Sequence, residues 1–175
     1  MPVRWNSTYL MRKAVIRDTV SFNGFINANY GVEPLITDET WHVITTLTAF
    51  LELFYDATIT LSRVYYPTSP LMVHIILDIA SHLKTYEGDG LLLNVVADME
   101  TKYLKYWKHI PLLYAFAFIL DPRAKLEGYR SALNVLFASI SLDYTHDFNM
   151  ARHKLYEVFA KYEQKYFGVR MQRPP

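Results

Sequence analysis

The chain has 175 residues, 51% apolar and 20% charged, with 18 Lys and Arg against 17 Asp and Glu. That is one domain's length and enough to bury a single core, and the near-neutral charge argues against a dedicated, strongly basic nucleic-acid module. The absence of cysteine excludes disulfide staples, Cys-ligated zinc and a thiol nucleophile, and fits cytosol or nucleus.

In chain order, the helical period dominates. Asn6, Ser7 and Thr8 offer an N-cap for a first helix running towards Asn27, before a break at Asn29, Gly31 and Pro34. Thr37 is the next expected N-cap, with Asp38 and Glu39 in the first turn where the helix dipole favours them. Behind it Ile44, Leu47, Leu51, Phe54 and Leu61 form one apolar stripe on a helix ending near Arg63. Tyr65 to Pro70 is a loop, and Ser69-Pro70 reads as cap and first residue of a helix to about Tyr86. Glu87-Gly88-Asp89-Gly90 is a turn, from which Asp89 or Gly90 opens a helix to about Trp107. Pro111 starts a short apolar helix, Asp121-Pro122 ends it and caps another, and the Asp143–Asp147 region precedes a last helix ending near Tyr166. The expectation is one all-α domain over 1–175, of six or seven helices, with 168–175 as a flexible tail. The N-terminus lacks a signal-peptide profile, and the apolar run Ile110–Leu120 is too short for the roughly 20 residues of a membrane helix.

Four features could carry chemistry. His74, Asp78 and His82 share a helix face at i, i+4, i+8 and are legitimate metal ligands. Leu71, Ile75, Ile79 and Leu83 supply the apolar face there, so a solvated His–Asp pair is the preferred reading. Asp56, Asp78, Asp98, Glu100 and Asp121 could serve two-metal work, but no motif fixes their geometry, and Asp121 reads better as an N-cap. Nucleophile elbows and Gly-rich phosphate loops are missing. The run Lys102-Tyr103-Leu104-Lys105-Tyr106-Trp107-Lys108-His109 interleaves rings and cations, which can stack bases and neutralise phosphates. Against that stands a helix end with rings turned inward and lysines complementing the dipole, which is the favoured reading. The fourth feature, Arg4-Trp5-Asn6-Ser7-Thr8-Tyr9, is a helix start with an anchoring Trp.

That last block begins a resemblance. Arg4 to Tyr9, Leu35-Ile36-Thr37-Asp38-Glu39-Thr40-Trp41, Phe54-Tyr55-Asp56-Ala57-Thr58, Tyr66-Pro67-Thr68, Lys105-Tyr106-Trp107 and Leu120-Asp121-Pro122-Arg123-Ala124-Lys125-Leu126 follow one another as in hAT-superfamily transposases. The pattern is most similar to plant BED-zinc-finger, rice-sleeper-type members. Ala124 stands where that family usually has an aromatic residue, so the packing after the Asp-Pro corner is expected to differ.

The resemblance implies a segment between the second catalytic Asp and the C-terminal dimerisation region, outside the Asp-Asp-Glu set that holds Mg²⁺ or Mn²⁺ in the family's RNase H-like core. It implies a nuclear protein whose chain here is not itself an enzyme, holds no cofactor, and contributes to DNA binding and transposase architecture in the full-length context. DNA-contact candidates are Arg4, Trp5, Arg12, Lys13, Arg17, Lys102, Lys105 and Lys108, weak for the isolated chain. The Trp of the family's Arg-Trp pair is implicated in handling a DNA end, and only Arg4 and Trp5 match it. The rival expectation is a protein-interaction scaffold without a DNA role, since Tyr and Trp make good interface anchors. Neither a membrane nor a small-molecule partner is expected.

Overall fold

Residues 72–86 place an apolar side chain every three or four positions, and the helix they form becomes the centre of the fold. The computed structural model describes residues 5–30, 37–63, 65 and 67–170. Its described elements are α1 (Trp5–Arg17), α2 (Thr19–Tyr30), α3 (Asp38–Leu61), a 3-10 turn (Ser69–Leu71), α4 (Met72–Tyr86), α5 (Leu93–Trp107), α6 (Leu112–Ile119), α7 (Lys125–Ile140) and α8 (Thr145–Arg170). Among the described residues the architecture is all-α, without a strand. Of the segment expected as a tail, 168–170 fall within α8 and 171–175 lie outside the described residues.

Val73, Ile76, Ala80 and Leu83 of α4 are buried, and α4 packs against α3, α5, α6 and α7. Around it close Phe50 of α3, Val96 and Tyr103 of α5, Phe118 of α6, Leu133 and Leu136 of α7, and Phe148 and Ala151 of α8. Each large apolar side chain removed from water contributes roughly 1.5–3 kcal/mol, so this shell carries the stability. The buried stripe of α4 is turned from the expected one. Leu71 sits exposed in the 3-10 turn, while Ile75 and Ile79 are partly covered beside α3.

Among the described residues the helix count is eight, because the expected first helix divides at Asp18. The Asp18 carboxylate accepts from the Ser21 N–H at 3.4 Å, and the Thr19 hydroxyl donates back to the Ile16 carbonyl at 2.9 Å. These local bonds compete with the helix ladder and restart it. α1 lies on α3, where Tyr9 is buried and stacks on Tyr55 at 4.6 Å between centroids. α2 packs on α1 and places Phe22 edge-on to Trp41. By length and composition alone α3 could cross a membrane, yet here α1 and α4 pack against it and its Glu52 pairs with Lys13.

Thr37 caps α3 as expected, its hydroxyl accepting from the Thr40 N–H. Ser69 does not cap α4. Its turn is closed instead by the Leu71 N–H on the Thr68 carbonyl at 2.9 Å, and α4 follows. Asp89 spends its carboxylate on the Leu91 N–H at 2.8 Å, so α5 starts at Leu93 rather than at Asp89 or Gly90.

Asp121 ends α6 as expected but does not cap α7, which begins at Lys125 behind Ala124 without a side-chain cap; the Asp121 carbonyl closes a turn with the Ala124 N–H instead. Asp121 accepts from the backbone N–H of Arg123 at 2.9 Å and grips its guanidinium through both carboxylate oxygens. Ala124 faces Gly128 one turn on, where an added Cβ would stand 3.3 Å from the Ala124 Cβ and 3.8 Å from the Phe118 ring. Two small residues one turn apart let the start of α7 approach α6.

Candidate nucleic-acid interface

The basic end of α5 is set by one face turned in and one turned out. Tyr103 is buried and donates its hydroxyl to the Ile76 carbonyl of α4 at 2.9 Å, while Trp107, one turn on, is partly covered beside Tyr114. Lys102, Lys105, Tyr106 and Lys108 are exposed, Tyr106 at 69%. Among the described residues none of these three lysines has an acidic partner. Lys105 instead lies 5.9 Å over the Tyr106 ring. The inward-ring expectation therefore holds for Tyr103 and Trp107 and fails for Tyr106.

This end is held from the far side of the chain. The Tyr144 hydroxyl donates to the Trp107 carbonyl at 2.7 Å, capping the last turn of α5. Asp147, in the first turn of α8, is buried and accepts from the Ile110 N–H at 3.0 Å and faces the His109 Nδ1 at 3.3 Å. Burial pushes the Tyr144 phenol up to about 12, with the Asp147 charge adding to the rise. The Tyr129 hydroxyl, wholly buried, has no hydrogen-bond partner among the described residues, and its pKa is raised by burial first and then by Asp147. The sequence marked Asp143 to Asp147 only as a break between helices. The Asp143–Thr145 spacing of an N-cap was the available signal, since Asp143 takes both the N–H and the hydroxyl of Thr145.

The N-terminal candidates divide. Lys13 is bonded to Glu52 at 2.6 Å, and that bond raises its pKa and lowers that of Glu52, so its charge is already matched. Arg12 is half-buried and Arg17 exposed. Trp5 lines an apolar groove of about 400 Å³ floored by α3 and α4, and Trp107 lines the same groove. Arg4 lies outside the described residues.

The ligand candidates on α4 do not act together. His82 turns inward, stacks on Phe50 at 5.2 Å and bonds the Phe50 carbonyl at 2.8 Å, while His74 leans on Phe118 at 4.9 Å. The expected His–Asp pair is thus replaced by aromatic packing, because the inward turn of His82 fills space between α3 and α4. Asp56, His74 and Asp78 line a shallow groove of about 240 Å³. Asp121 is committed to Arg123, which holds it down to about 2. Among the described residues no three His, Asp or Glu side chains are grouped to hold a metal ion.

Comparison with known proteins supplies the context for this geometry. Residues 70–162 match the family model described as hAT-like transposase, RNase-H fold. The zinc finger BED domain-containing protein RICESLEEPER 2 of Oryza sativa subsp. japonica is 25% identical over 159 residues, covering 90% of this chain and 22% of that protein. DAYSLEEPER of Arabidopsis thaliana is 24% identical, covering 91% and 23%, and the putative AC transposase of Zea mays is 28% identical, covering 90% and 20%. The chain thus spans about a fifth of the length of these relatives. No solved structure matches it. More than half of the chain, from the 3-10 turn into α8, follows the family model, and the chain belongs to the hAT-like transposases.

Proposed function

We propose that the chain is a non-catalytic helical portion of a hAT-type transposase, or of a domesticated descendant, and contacts DNA through the end of α5. The observation that carries this reading is the set Lys102, Lys105 and Lys108 beside exposed Tyr106, unpaired among the described residues and braced by Tyr144 and Asp147. Unpaired cations on a rigid element release counterions without first breaking an ion pair. Arg12 and Arg17 extend the surface, whereas Lys13 would have to give up Glu52 first. A nuclear setting and a role in transposase architecture follow from the same reading.

The test is a salt titration of binding to a random duplex. Two to four phosphate contacts give a log–log slope of about −2 to −4. Replacing the three lysines with alanine should flatten that slope by about 2 to 3. A slope unchanged in the triple variant would remove α5 from the interface.

The second reading is a protein-interaction scaffold, and a specific feature favours it. Beyond Ala151 the outer half of α8 exposes Tyr156, Phe159, Tyr162 and Tyr166. No binding to duplex even at low salt would leave this reading standing alone.

A further inference from the structure

Between α7 and the start of α8 runs an open groove of about 600 Å³, within the range of sites that enclose small ligands. Arg130, Asn134 and Phe137 follow one another at i, i+4, i+7 on α7, and Asn149 faces the groove from α8. Its polar groups are largely unspent. The Asn134 and Asn149 side chains have no hydrogen bond among the described residues. Arg130 reaches Glu127 only at 4.0 Å, and its guanidinium rests 4.7 Å over the Phe148 ring, which holds it in place. Phe137, at 55% exposure, leaves a large ring wet at the rim. At the far end Asp143 uses one carboxylate oxygen on Thr145, leaving the other without a partner among the described residues.

We infer that this groove takes one unpaired nucleotide of a DNA strand, an assignment resting on the DNA-contact reading above. The charges set its direction. The phosphate goes to Arg130, in the second turn of α7, because Asp143 beyond the helix's other end repels it. The base then stacks on Phe137, a sequence-tolerant contact. Asn amides pair in bidentate fashion with adenine, and a free carboxylate oxygen accepts from an exocyclic amino group. Bases bearing an amino group therefore bind better than thymine.

The experiment uses the full chain with fluorescent single-stranded dA and dT ten-mers and a duplex, read by anisotropy. Phe137→Ala, at an exposed position, should weaken single-strand binding about tenfold, in line with the loss of one stacked base, and leave the duplex unchanged. Asn134→Ala should reduce the preference for dA over dT, and Asn134→Ala with Asn149→Ala should reduce it further. If Phe137→Ala leaves single-strand affinity intact while the duplex still binds, the groove assignment falls and the α5 reading survives. If the triple lysine variant keeps its duplex slope while Phe137→Ala weakens the single strand, the groove stands and the α5 surface falls. No binding of any strand overturns both. Displacement of the dA ten-mer by millimolar dAMP supports the groove's chemistry and identifies free nucleotide as a ligand.

Discussion

Trp5, which opens α1, and Trp107, which ends α5, line one apolar groove between them. The two sequence blocks most suggestive of DNA contact thus meet through their tryptophans on the same surface, with α3 and α4 as its floor.

Trp5 is only 44% exposed, so its indole already covers apolar surface. Trp5→Ala should cost about 1–2 kcal/mol of stability, from the area returned to water. For a domain of this size that lowers Tm by about 2–8 °C. Affinity for single strands and hairpin ends should stay unchanged. A loss equivalent to about 1–3 kcal/mol would show that Trp5 stacks on a base.

Asp147 is expected to be a structural clamp. Asp147→Ala leaves the Ile110 N–H buried without an acceptor and should cost about 1–3 kcal/mol in urea unfolding. Asp147→Asn keeps an amide oxygen for that N–H and should cost clearly less. Equal losses in the two variants would point to the charge rather than the hydrogen bond.

Two tyrosines should respond with opposite signs to loss of their hydroxyl. Tyr144→Phe deletes the bond to the Trp107 carbonyl and should destabilise by about 1 kcal/mol. Tyr129→Phe removes a buried hydroxyl without a partner among the described residues and should stabilise by about 1 kcal/mol. Destabilisation by Tyr129→Phe would reveal a partner for that hydroxyl, such as a bound water.

The Asp121–Arg123 corner gives a pH signature. The hydrogen bonds from Arg123 depress the Asp121 carboxyl to about 2 from its ordinary 3.8. A depressed carboxylate stabilises the fold above its unfolded pKa, and that contribution is lost as pH falls through the folded one. Thermal melts of wild type and Asp121→Asn should therefore differ above pH 4 and converge as pH approaches 2. Because the pair faces solvent, the difference should also shrink with added salt.

Incubated with Mg²⁺ or Mn²⁺, the purified chain should neither nick nor join DNA. Two-metal chemistry needs carboxylates that hold both ions about 4 Å apart, and none of the described acidic groups converges in that way. Metal-dependent cleavage that disappears on replacing Asp56 or Asp121 would force a new assignment.

The all-α fold was legible because a 3.6-residue period needs only local sequence. Thr37 was found for the same reason, since a cap is recognised within three residues, whereas Asp121 forms a turn ahead of α7 rather than its cap. What escaped was the bond competition at Asp18, where a single carboxylate restarts a helix that periodicity runs straight through. His82 was misplaced because its true partner, the Phe50 carbonyl, lies 32 positions away. Asp147 and Ile110, 37 apart, escaped in the same way. Of the interface, the lysines were visible in the sequence. That Tyr106 points out while Tyr103 and Trp107 point in was not, since adjacent rings differ only by their angle about the helix axis.

α8 is a single helix with two different supports. Its first turns are anchored through Phe148 and Ala151, but past Ala151 only Leu155 and Glu157 are partly covered among the described side chains. There the helix leans on its own ladder, with Glu157 bonded by Lys154 at 2.7 Å and Lys161 at 2.8 Å. Pairs of this kind stabilise a helix by about 0.2–0.5 kcal/mol each, far less than a buried core. Amide hydrogen exchange should therefore divide the helix. Protons near Phe148 should exchange only when the whole domain opens, and those beyond Glu157 should exchange through local opening, orders of magnitude sooner.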